Sequence, residues 1–137
     1  MSIQSETKKL EQGRAEFAYK CVKEALGNFD DKKQGEYRSY SRKIPTMILT
    51  NGLGQTLAFA KAKAENGNAY ELLYNQITDY LKSENTTRIK MPPDQNELVE
   101  WVISCESKEY RFITQELLAF LNWLKRFAEG MIEGEGR

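Results

Sequence analysis

The 137-residue chain contains no histidine. That removes the commonest general base near neutral pH and the commonest transition-metal ligand. Ser-His-Asp and Cys-His centres are excluded with it. An enzyme built on this sequence would have to use carboxylates, lysine or tyrosine. Cysteine is scarce: Cys21 and Cys105 lie far apart, and there is no CxxC pair to mark a zinc or redox centre. Both fall on the apolar side of a helical pattern, as small buried hydrophobes do, and a disulfide is not expected in a reducing compartment. No apolar run approaches the roughly 18–20 residues that cross a bilayer. The opening segment MSIQSETKKLEQ has no apolar stretch of the secretory kind. We therefore expect a cytoplasmic protein with no membrane association and no metal or other cofactor.

What is present is globular. Hydrophobic residues make up 40% and charged residues 29% of a chain near the modal domain size. This predicts one helical domain over residues 1–137, fraying near 1–5 and 133–137. The periodicity is helical almost throughout. Leu10, Phe17, Ala18, Cys21, Val22, Ala25 and Leu26 recur at three- and four-residue steps and predict a helix from about Ser5 to Leu26. The segment GNFDDKKQG, Gly27–Gly35, reads as a polar loop. Glu36–Thr50 reads as helix, with Pro45 marking a kink or a fresh start. A third pattern begins at Leu53 and ends near Glu65–Asn68. Tyr70, Leu73, Tyr74, Ile77, Tyr80 and Leu81 form a fourth stripe. After Pro92-Pro93, Asp94 and Glu97 have capping-box spacing ahead of Leu98, Trp101, Val102 and Cys105. The longest stripe runs from Tyr110 to Met131. No alternating strand pattern is visible, so the fold class is all-α: a compact bundle of about six helices.

Asn51-Gly52-Leu53-Gly54-Gln55 has the look of a phosphate loop. A dinucleotide fingerprint needs a third glycine where this chain has Leu57, and a strand before it. A P-loop needs Gly-Lys-Ser/Thr, and Gly54 is followed by Gln55-Thr56. The better reading is a joint between two helices, with Asn51 and Gln55 bonding across it or to a neighbouring subunit. The acidic residues show no spacing that announces a metal site. The basic residues are more informative. Residues 1–63 carry a balance of +5 and residues 64–137 of −5, within a net charge of zero. Such asymmetry can serve nucleic acid or a neighbouring copy. Arg38, Arg42 and Lys43 are neighbours on a helical turn with Tyr37 and Tyr40 among them, and Lys61 and Lys63 close the next helix. Cations neutralise phosphates and aromatic rings stack on unpaired bases. A solvated face with structural tyrosines explains the same pattern. Lys125-Arg126 beside Trp123 reads equally as a helix end.

Three stretches are distinctive beyond their composition. RKIPTMILTNGLGQTLAFAKAKAE (Arg42–Glu65) and TQELLAFLNWLKRFAEGMIE (Thr114–Glu133) resemble the small all-α subunit family of the type III-B CRISPR effector, the Cmr complex. LEQGRAEFAYKCVKEA (Leu10–Ala25) resembles that family's N-terminal helix. The resemblance implies a non-enzymatic structural subunit. Copies of it would stack head to tail as a minor filament along the repeat-type backbone subunits that carry CRISPR RNA, helping to hold target RNA. Because guide–target pairing reads the sequence, such a subunit needs only backbone contacts. Arg42, Lys43, Lys61 and Lys63, in the best-matched stretch, are the leading candidates for nucleic-acid contact. Arg14 and Arg126 rank second. Asn51, Gly52, Gly54 and Gln55 are candidates for helix joint and subunit packing. The alternative is a stand-alone helical nucleic-acid-binding module, and a carboxylate-dependent nuclease or hydrolase ranks third.

Overall fold

The computed structural model describes residues 3–84 and 89–133. Among these described residues, six helices follow one another: α1 (Ile3–Asn28), α2 (Asp31–Asn51), α3 (Leu53–Lys63), α4 (Ala69–Lys82), α5 (Leu98–Ser104) and α6 (Ser107–Met131). The described residues form no strand, so the all-α expectation holds. The helix expected from Ser5 already begins at Ile3. The fraying expected at the extreme ends falls largely outside the described residues.

The centre of the bundle lies where α1, α4 and α6 meet. Tyr80 and Phe120 stack there with ring centroids 4.0 Å apart, and Phe17 meets both rings edge-on. Edge-on and offset contacts suit the ring quadrupoles. Ile113, Leu117, Leu121 and Leu124 of α6, with Leu73 and Ile77 of α4, complete a continuous buried cluster. α2 packs on α6, α3 and α4, and α3 on α4 and α5.

Three local readings are corrected. Gly27–Gly35 is not one loop: α1 runs to Asn28 and α2 starts at Asp31. Asp30 makes the short link possible, because its carboxylate accepts from the Lys33 amide at 2.9 Å and caps α2. Of the two readings of Pro45, the fresh start is overturned, since α2 continues through it. Proline in a helix interior costs about 3 kcal/mol. α2 buries Tyr37, Ile44 and Ile48 along its core face, and each such side chain returns about 1.5–3 kcal/mol, enough to outweigh the break. Asp94 does not cap α5: the helix begins at Leu98 with Glu97 at its N-cap and no side-chain cap bond. The Glu97 carboxylate instead accepts from Tyr74 Oη at 2.6 Å and pairs with Lys61. The capping box of this region lies one helix later, between Glu106 and Glu109 at the start of α6.

Candidate nucleic-acid interface

The glycine segment is a joint, as expected. Gly52 closes α2 and opens α3 at φ 89°, ψ 161°, a conformation essentially reserved for glycine. The amide of Gly54 donates to Tyr110 Oη at 2.7 Å, and Thr56 Oγ1 donates back to Gly52 O at 2.8 Å. A Cβ on Gly54 would stand 3.4 Å from Tyr110 Oη and 3.5 Å from Ile103 Cγ2. Tyr110 of α6 thus occupies the Gly54 amide that a phosphate loop would present to its ligand. Asn51 and Gln55 are exposed; the side-chain bond across the joint comes from Tyr110. Its position relative to Gly54 could not be read from local spacing.

The basic candidates separate into three groups. Lys43 at the middle of α2 and Lys63 at the end of α3 converge on one ring: their ammonium groups lie 5.3 and 5.8 Å from the centroid of Phe59. Phe59 meets Tyr70 edge-on, and Tyr70 stacks on Tyr40 at 3.9 Å. A ladder of three rings thus ties α2, α3 and α4 together beneath two exposed lysines. Neither lysine is paired with a carboxylate among the described residues. Cation–π contact orients an ammonium group without neutralising it. Burial and the nearby Glu36 raise the Tyr40 phenol above its ordinary range, and burial raises Tyr70. Both rings therefore stay neutral near neutral pH.

Lys61 points to a different place, pairing with Glu97 and lying 5.6 Å from the Tyr74 ring. Arg42 reaches α6, where Nη2 donates to Glu129 Oε2 at 3.1 Å. It borders a cleft of about 500 Å³ whose lining mixes Lys32, Arg38 and Arg42 with Asp31, Glu36 and Glu133. Among the described residues, the buried Arg38 Nε has no hydrogen-bond partner. Tyr37, read in sequence as a stacking ring, is fully buried and donates to Gln76 Oε1 at 2.6 Å.

Arg14 and Arg126 differ sharply. Arg14 donates through Nε and Nη2 to Glu116 at 2.8 and 3.0 Å and through Nη1 to Glu11 at 2.7 Å. Tyr80 Oη donates to the same Glu116 at 2.6 Å. Burial pushes the Glu116 carboxyl up, but the bonds from Arg14 and Tyr80 hold it below the ordinary range overall. The guanidinium of Arg14 is committed to the fold. Arg126 is exposed, but α6 continues to Met131, so it does not cap a helix end. Among the described residues, no group of three or more His, Cys, Asp or Glu side chains is placed to hold a metal ion. Both cysteines are free, with Cys21 buried and Cys105 partly so.

Phe59 escaped the sequence reading as part of a surface, with buried Tyr70 behind it. Phe59 lies off the buried Leu53, Leu57 and Ala60 positions of α3, which was the available signal.

Fold and surface define a small all-helical protein that presents cations over aromatic rings. The family model described as CRISPR-associated protein (Cas_Cmr5) matches residues 10–131. A Thermus thermophilus protein named CRISPR system Cmr subunit Cmr5 is 33% identical over 119 residues, which cover 87% of this chain and 92% of that protein. The crystal structure of a CRISPR-associated Cmr5 family protein, also from Thermus thermophilus, superposes with a TM-score of 0.72 at 33% identity, covering 90% of this chain and 98% of the other. The chain belongs to the Cmr5 family of type III-B CRISPR subunits. No helix among the described residues is long and apolar enough to cross a membrane.

Proposed function

We propose that the chain is a non-catalytic cytoplasmic subunit that stacks in copies along the backbone of a Cmr effector complex and helps to hold target RNA for antiviral defence. Its partners are then other Cmr subunits, above all the repeat-type backbone subunit, together with further copies of itself, CRISPR RNA and target RNA. The observation that carries the RNA contact is the pair of exposed lysines, Lys43 and Lys63, converging on Phe59 without a carboxylate partner among the described residues. Two ammonium groups held near one ring suit a phosphate backbone and need not read sequence. Arg42 and Lys61 are weaker participants, because each already has a carboxylate. Arg126 is exposed and contributes at most at the rim, whereas Arg14 serves the fold.

The test is Lys43→Ala/Lys63→Ala in a reconstituted complex, with target RNA titrated over a range of salt. Removing two phosphate contacts should weaken binding equally for every matched target. It should also lower the slope of log affinity against log salt by roughly 1.4 per engaged copy. An unchanged slope, with complex assembly intact, would rule out phosphate contact at this pair.

A further inference from the structure

The rings around the basic residues differ in what covers them. Tyr37 is buried outright and Tyr70 is 6% exposed. Tyr40 has one face covered by the Tyr70 ring, which lies 3.9 Å away and nearly parallel. Phe59 packs only partly against the core, and Tyr70 meets it edge-on at 5.6 Å rather than stacking on it. What stands over Phe59 is the pair of ammonium groups of Lys43 and Lys63. Both lysines are exposed and come from different helices. On α3 itself, Ala58 beside the ring and Ala62 one turn on are exposed and small. Two carboxylates belong to the same neighbourhood. Glu65, two residues after Lys63, pairs with neither lysine among the described residues, and Glu36 acts on the Tyr40 phenol. Phe59 is therefore an anchored ring with a movable cover.

A cation over an exposed ring is a weak hold, roughly a two- to fivefold preference per pair. Phosphates compete for the same ammonium groups. A base stacked on an aromatic side chain strengthens binding by roughly five- to a hundredfold. A single RNA strand carries phosphates and bases in alternation. Its phosphates draw the lysines aside, and its base takes the uncovered ring. We propose that Phe59 is a stacking platform for one unpaired RNA base, with Lys43 and Lys63 holding the phosphates that flank it. The inference rests on the RNA reading above and specifies the ligand of that site as single-stranded. Bases inside a duplex are already stacked on both faces and cannot lie on the ring. Within a complex, the contact then falls on a nucleotide outside the guide–target pairing. It tolerates any sequence, because every base has a π-face. Tyr70, locked against Tyr40, supports Phe59, so the platform is set before the strand arrives.

The test uses the full chain and two short single strands of equal length and charge: oligouridylate, and the same ribose-phosphate chain without bases. NMR of the unaltered protein at millimolar RNA should show intermolecular NOEs between the Phe59 ring protons and uracil protons. Titration should show the base-free strand binding about fivefold or more weakly than oligouridylate. Phe59→Leu should erase that difference between the strands, and Phe59→Tyr should restore it, with the amide spectra of both variants confirming the fold. A difference that persists in Phe59→Leu, or NOEs from uracil to other rings and none to Phe59, would overturn the platform. The phosphate contact would survive that result if Lys43→Ala/Lys63→Ala still lowers the salt slope. No binding of either strand at millimolar concentration would overturn the RNA reading of this site and this inference with it.

Discussion

At the scale of single residues, the two glycines of the joint separate two effects that sequence alone runs together. Gly52 has φ 89° and open space beyond a 3.7 Å approach to Tyr110 Oη, so its demand is conformational. Gly54 has no positive φ, and its demand is room, with two side chains within 3.5 Å of where a methyl group would stand. Gly52→Ala should therefore destabilise the protein by about 1–3 kcal/mol. Gly54→Ala should cost less than about 1 kcal/mol, because better helix propensity offsets a small shift of Tyr110. Gly54→Val adds branches that Tyr110 and Ile103 must yield to, and it should exceed the alanine change. Urea denaturation of the three variants checks the order, and equal losses for Gly52→Ala and Gly54→Ala would contradict it. Buried Gln76 offers a second residue-scale case. It accepts from Tyr37, and its Nε2 donates to Cys21 O at 2.9 Å and Glu24 Oε1 at 3.0 Å. Gln76→Leu is of similar volume but strands the Tyr37 hydroxyl, and a loss of about 1–3 kcal/mol is expected in the same denaturation experiment.

At the scale of elements, existence is legible in the sequence and boundaries are less so. The strongest stripes, those of α4 and α6, emerge where periodicity puts them, because long amphipathic faces leave little freedom. The departures share a physical origin. Around α2, polar residues and a proline argue locally for a loop and a break, and only its packing on four other helices overrides them. Glu97 reads as part of a local cap because capping is the interaction that spacing can reveal. Its partners Lys61 and Tyr74 come from α3 and α4, and no local pattern records them. Arg14 reads as a surface cation for the same reason, since Glu116 is distant in sequence. That pair joins α1 to α6, with Tyr80 of α4 on the same carboxylate. Glu116→Gln should cost roughly 2–3 kcal/mol through weakened bonds to a charged group. The pH dependence has a definite sign. Glu116 is held below its ordinary 4.5, so the folded state binds its proton less readily than the unfolded chain. Its contribution is complete above the unfolded value and fades as pH falls through the lower folded value. Thermal denaturation from pH 7 to pH 3 should show Glu116→Gln losing part of the acid sensitivity of the parent protein. Parallel curves would remove this residue from the acid response.

At the scale of the whole molecule, zero net charge conceals distinct surfaces. The basic candidates grouped by sequence do not form one patch: Arg42 faces α6, Lys61 faces α5, and Lys43 with Lys63 share Phe59. On the proposed reading, one copy would offer an RNA backbone two cations that have no carboxylate partner among the described residues. Such a site neutralises few phosphates, and its affinity should sit at the weak end of non-specific binding. The proposed stacking would change this, because once one copy is engaged the next would meet the same strand at a high effective concentration. A stand-alone nucleic-acid-binding module would need no such help. The isolated chain should accordingly bind single-stranded RNA weakly and with little sequence preference in fluorescence anisotropy at physiological salt. Within the reconstituted complex, the same lysines should affect retention of long matched targets more than short ones, since each added copy contributes another weak contact. Tight binding by the isolated chain, unaffected by the other subunits, would favour the stand-alone module and sever the link between repetition and affinity.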